Sequence, residues 1–170
     1  MAESGNQDAV ALLKDDHRTV EDLFEQFEKA SGEGRKQKIA QQICLELSVH
    51  ARIEEEIFYP ACEGKIEEDL LQEAYVEHDG AKILIAQIQD GDGQTDEFFD
   101  AKVKVLQEQI EHHVKEEEQR MEGMFAQAKK AGLDMDALGE QLAARKEELV
   151  ATFTASGVPK PVLTTMDQEL

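Results

Sequence analysis

Apolar residues recur along this chain at alternating steps of three and four, the period of a helix with one buried face. In the first stretch they are Val10, Leu13, Val20, Phe24 and Phe27, and the rhythm closes only if His17 is included. The second runs through Ile39, Ile43, Leu47, Ile57 and Ala61, with His50 and Glu54 filling its gaps. The third has Leu71, Ala74, Ala81, Ile85 and Ile88 around His78. The fourth has Phe99, Val103, Leu106 and Ile110, then His113 and Glu117, then Met121 or Arg120 and Met124. A fifth, weaker stretch over 134–154 carries Met135, Leu138, Leu142 and Leu149, and the chain beyond Thr154, with Gly157-Val-Pro-Lys-Pro161, reads as irregular. Glycine clusters at 31–34, 64, 90–93 and 132 separate the stretches, and Thr95, followed by Asp96 and Glu97, suits a helix N-cap.

Long helices with short connections predict an all-α fold. Its body is an antiparallel up-down four-helix bundle over 1–130, and an additional C-terminal helix and tail follow over 131–170. In such a bundle, two residues equidistant from a turn lie at the same height. The midpoint of His17 and His50 falls between Glu33 and Gly34, that of His50 and His78 on Gly64, and that of His78 and His113 just past Gly93. All three lie in or beside predicted loops, so the four histidines converge on one level of the core.

Composition agrees with a helical protein: 41% hydrophobic, 33% charged, three prolines and no tryptophan. The net charge of −20 repels phosphate backbones and anionic headgroups, which argues against nucleic acid and membrane partners. No segment approaches the roughly 20 apolar residues of a membrane span, and the opening Met1–Gln7 lacks a leader pattern, so the expected setting is cytoplasmic. Cys44 and Cys62 fall on one predicted helix, about 27 Å apart at 1.5 Å per residue, too far to bridge. Reduced, buried thiols are expected, in a monomer or homodimer.

Four of the five histidines occupy seam positions. Four imidazoles and two carboxylates buried together without a cation would leave polar groups stranded at a cost of several kcal/mol. Metal ions remove the objection. His50-Ala-Arg-Ile-Glu54 and His113-Val-Lys-Glu-Glu117 each set a His and a Glu one turn apart on one face. Glu21, four places after His17, falls off its stripe, and so does His112, which with Glu116 offers a competing register. Six donors exceed what a single zinc needs, and the nitrogen–oxygen set suits a dinuclear iron site, with manganese or zinc as substitutes. Glu54 and Glu117 would bridge. No histidine follows a glutamate by three residues, which disfavours the ferritin-like alternative. Tyr75, one turn before His78, could point a hydroxyl at a bound species. Tyr59-Pro60 is expected to kink or end the second helix and to matter for shape. Glu55, Glu56, Glu116 and Glu118 read as a solvated face from which one could hydrogen-bond a ligand imidazole.

Leu12-Leu13-Lys14-Asp15-Asp16-His17, His50 through Pro60, Glu77-His78-Asp79 and His112 through Glu118 resemble the hemerythrin-like HHE cation-binding family, over about residues 8–128. The resemblance implies ligands at His17, His50, Glu54, His78, His113 and Glu117. It also implies an oxo- or hydroxo-bridged pair of irons that meets O2, H2O2 or NO. Two positions depart from the related oxygen carriers: Lys82 stands where they have a fifth histidine, and Glu117 stands four rather than five places after His113, where they have an aspartate. Binding, sensing or iron storage is the expected role. A catalase-like enzyme is one alternative, and a metal-free helical interaction module is another.

Overall fold

The computed structural model describes residues 7–168; Met1–Asn6, which make up most of the N-terminal stretch read above, and the last two residues lie outside the described residues. The described chain is helical throughout, with no strand. Helix α1 (Ala9–Lys29) starts on Asp8, whose carboxylate accepts the amide of Ala11 at 2.8 Å. Helix α2 (Glu33–Ile53) runs into a π-helical turn (Glu54–Phe58) and then the short α3 (Tyr59–Cys62). Helices α4 (Glu68–Asp90) and α5 (Phe99–Glu118) complete the bundle, followed by α6 (Met124–Lys130) and α7 (Met135–Ser156).

The stripes read from the sequence are buried along α1 and α4 at every position named, histidines included. Three details differ. First, α5 begins at Phe99 rather than after Thr95; Asp96, not Thr95, accepts the free amide of Phe98 just ahead of it, at 2.9 Å. Second, α5 ends at Glu118, so Met121 is exposed while Met124 is buried on α6. Third, beyond Glu54 the buried positions are Phe58, Tyr59 and Cys62, whereas Ile57 and Ala61 are only partly covered. The cause is the π turn, in which the amide of Tyr59 donates to the carbonyl of Glu54, five residues back. The extra residue rotates everything after it by one position. It also lets the chain pass Pro60, which has no amide to give to a regular ladder, and remain helical to Cys62.

Two apolar clusters fill the interior. One holds Leu13, Ile53, Phe58, Tyr59 and Phe125 together with Leu142, Leu149 and Phe153 of α7. The other holds Val20, Phe24, Ile43, Ile85, Phe99 and Leu106. Between them lies a polar layer: His17, His50, His78 and His113 from the four bundle helices, with Glu54 and Glu117. Helix α7 lies along α1 and α2, and Gly139 permits the approach: a Cβ there would sit 2.2 Å from the carbonyl oxygen of Gln7. The segment after Ser156 has no regular structure, as expected, yet it is pinned down. The amides of Thr164, Thr165 and Met166 and the hydroxyl of Thr165 donate to the carboxylate of Asp79, which is fully buried. Cys44 and Cys62 are free and buried, and burial pushes both thiols up to about 12. No described helix is long and apolar enough to cross a membrane.

Candidate metal centre

Each bundle helix delivers one imidazole to the polar layer, and all four point Nε2 inward. The Nε2 atoms of His17 and His50 are 3.2 Å apart, and so are those of His78 and His113. Glu54 joins the two pairs: one of its oxygens lies 2.9 Å from His50 Nε2 and 3.3 Å from His78 Nε2. Glu117 makes the same link across the layer, 2.5 Å from His113 Nε2 and 3.9 Å from His17 Nε2. Two ligand sets result, His17–His50–Glu54–Glu117 and Glu54–His78–His113, with Glu54 in both.

The outward nitrogens fix the tautomers. Nδ1 of His17 meets Glu118 at 2.7 Å, that of His50 meets Asp16 at 3.0 Å, and that of His113 meets Glu77 at 2.5 Å. A carboxylate only accepts, so each of these three Nδ1 atoms carries a proton and Nε2 is the nitrogen left to face an ion. His78 differs: Glu55 is 3.7 Å from its Nδ1, beyond hydrogen-bond reach, and is held by Lys82 at 2.9 Å instead. The outer carboxylates are tied in turn, Glu118 by Arg18 and Asp16 by Lys146 at 2.5 Å.

The inner face therefore gathers four imidazole Nε2 atoms and two carboxylates around one hydroxyl. That hydroxyl belongs to Tyr59, 3.1 Å from His78 Nε2 and 3.2 Å from His113 Nε2. Neither oxygen of Glu54 nor of Glu117 has a hydrogen-bond partner, although both side chains are buried to within 1% of fully. Such a set requires positive charge at its centre. Donors about 2.1 Å from one ion and at right angles would be about 3.0 Å apart, which matches the spacings within each set. The residues fit a pair of metal ions.

The protein's own charges point the same way. Burial opposes ionisation of Glu54, but His50 and His78 outweigh it and hold this carboxyl well below its usual range. Burial, then repulsion from Glu54, pushes Glu117 up instead. Without a cation, the two carboxylates of the layer oppose each other's ionisation. Burial disfavours charge on His50, yet Glu54 and Asp16 carry it up to about 10, and His113 is likewise held well above its ordinary value, chiefly by Glu117 against the cost of burial.

Among residues read from the sequence, Glu21 points away, 3.4 Å from Arg18, and His112 is exposed beside Glu116 and Glu77. Tyr75 stands behind the site, its ring edge-on to that of Tyr59 at 5.2 Å. The hydroxyl in the layer is that of Tyr59, which the helical stripe did not select because the π turn intervenes. Asp16 and Glu77 carry no such signal either, each the neighbour of one layer histidine in sequence but bonded to a different one in space. Replacing Asp16 with Ala should weaken metal affinity about 10- to 100-fold, the usual effect of losing an outer partner. Competition against a chromophoric chelator measures it, with Glu25→Ala, whose carboxylate pairs with Lys29 on the surface, as an unaffected control.

A family model, the Hemerythrin HHE cation binding domain, matches residues 8–125. The chain belongs to that family. Its fold is similar to the crystal structure of a Hemerythrin HHE cation binding domain-containing protein from Mycobacterium kansasii, with a TM-score of 0.73 and 21% identity over 89% of this chain and 95% of that one. The chain is also 32% identical, over 107 residues, to a protein described as a DNA nickase from Nostoc sp.. That match takes in 63% of this chain and 30% of the relative, so the chain spans about a third of that protein's length.

Proposed function

We propose that the protein holds two iron ions in the polar layer and uses them to bind or sense a small oxygen-bearing molecule such as O2, H2O2 or NO. The observation that carries this is the ring of Nε2 atoms and unpartnered carboxylate oxygens, divided into two sets that share Glu54. When bound, an iron pair supplies redox chemistry and an open position for such a molecule. His17, His50 and Glu117 would hold one ion; His78 and His113 would hold the other, with Tyr59 beside it and Glu54 between the two. Asp16, Glu77 and Glu118 keep the imidazoles in the metal-binding tautomer. Tyr59, whose hydroxyl is held protonated by burial and by Glu117 and Glu54, is placed to give a hydrogen bond to a molecule at the second position.

The free buried thiols suit a reducing, cytoplasmic setting. The net charge of −20 opposes a phosphate backbone, so DNA nicking is not carried over from the longer relative. Metal analysis with an absorption spectrum tests the reading: two irons per chain and near-ultraviolet bands are expected after iron-replete expression. Less than about one ion per chain would overturn it. Oxygen evolution on adding peroxide to the loaded protein, above that of free iron, would assign turnover to the centre.

A further inference from the structure

A cavity of about 240 Å³ adjoins the polar layer and is bounded at its inner end by all four histidines. Its inner wall is aliphatic, formed by Val20, Leu47, Ile85, Ile110 and Val114 from the four bundle helices. Elsewhere the cavity is lined by Val158, Pro159, Pro161 and Val162 of the segment after α7, together with the charged Arg52, Glu55, Glu56 and Lys82 of the bundle. What holds that segment is Asp79, whose buried carboxylate takes four of its donors from residues 164–166, and Lys82, which donates to the carbonyl of Val162 at 3.0 Å. A buried carboxylate one residue after a metal-ligating histidine is thus satisfied largely by a segment 85 residues further on.

The size and lining of this space are informative. A diatomic or hydrogen peroxide is about the size of a water, whose share of liquid volume is about 30 Å³, so either would occupy only a small part of it. An aliphatic cavity of about 150 Å³ is already enough to take benzene. Unfilled volume in a core weakens it, and the small Ala81 stands on this wall.

We infer that this cavity is a binding chamber for an uncharged, largely apolar organic molecule, of the size of a substituted benzene or a six-carbon chain, and that residues 158–164 form one side of it. Such a molecule would bring an oxygen-bearing end to the histidine layer while its body rests on the aliphatic wall. The inference rests on the proposed metal site for the identity of that end, but not for the binding of the apolar body.

Benzene is the direct probe, used on the full chain both loaded with zinc and free of metal. A saturable rise in Tm of about 3 to 6 °C is expected at ten times its Kd. Ala81→Leu should abolish the rise by filling the chamber. Thr165→Pro, which removes an amide and a hydroxyl from the Asp79 cluster without touching a helix, should weaken benzene binding and speed its release. No saturable shift in the unmodified chain would overturn the inference, as would an undiminished shift in a folded Ala81→Leu protein. If that variant does not fold, xenon-129 chemical shifts on the unmodified chain decide: xenon binding that benzene fails to displace would also overturn it. Because the readout needs no iron, failure here leaves the iron analysis untouched, and failure there leaves the chamber standing.

Discussion

On the proposed two-ion reading, Glu54→Ala should empty the set of His78 and His113 and weaken the set of His17, His50 and Glu117. Glu54 is the residue that both ligand sets share, it is fully buried, and its oxygen lies within 3.3 Å of an imidazole from each pair. Its loss leaves the second set with two imidazoles, below the three protein ligands that even an open metal site uses. It also removes the carboxylate charge that offsets two cations in a buried layer. Glu117→Ala should be milder, since His17, His50 and Glu54 still form a three-donor set and Glu54, His78 and His113 another. Metal content per chain, measured by mass spectrometry after identical iron-replete expression, should fall in the order unmodified, Glu117→Ala, Glu54→Ala. Glu21→Ala should match the unmodified chain. Two retained ions in Glu54→Ala would rule out a shared bridge.

Removing each ion should cost about 8 to 16 °C in Tm where the free ion stands near a thousand times its Kd: a gain of about 4 kcal/mol per bound ion, at 2 to 4 °C per kcal/mol for a chain of this size. The loss should depend on pH in a defined direction. In the metal-free protein the layer obtains its positive charge from protons on the histidines. His50 is raised from 6.5 to about 10, so the stability it contributes is fully present below pH 6.5 and is lost as pH rises toward 10. Glu54 is lowered from 4.5, so its contribution is present above that pH and is lost only in stronger acid. The metal-free chain should therefore be most stable between about pH 4.5 and 6.5. Metal ions displace those protons and do not titrate away, so the gap between loaded and metal-free Tm should widen from pH 6.5 to 9. Calorimetry with and without chelator across that range reads the trend, and a metal-free Tm unchanged between pH 6.5 and 9 would contradict it.

The helices and the levels of the four histidines were legible because a heptad-like stripe marks inward positions without knowledge of the partner helix. His17, His50, His78 and His113 each break such a stripe, and the turn midpoints align them. The outer carboxylates were hard to single out because the chain is rich in acid: of the four glutamates considered, Glu118 does bond His17, but nothing local distinguishes it from Glu56, which pairs with Arg145. Asp79 was invisible for another reason. Its partners come from a segment with no period of its own, which sequence patterning reads only as irregular. Tyr59 was misread because the periodic rule assumes an unbroken α-helix through Glu54.

That single surplus residue in the π turn after α2 acts as a phase shift built into the helical run. Upstream of Glu54 the strip of inward positions keeps one angular setting; downstream it resumes about 100° further round the cylinder. The site thereby takes three inward groups, His50, Glu54 and Tyr59, from one stretch of ten residues, at successive spacings of four and five. A uniform helix repeating every four residues would drift, carrying its third group out of line with the first two. Here the wide turn instead brings Tyr59, which an unbroken α-helix would place about half a turn from His50, round to the inward side, so one stretch supplies His50, Glu54 and a hydroxyl to the polar layer.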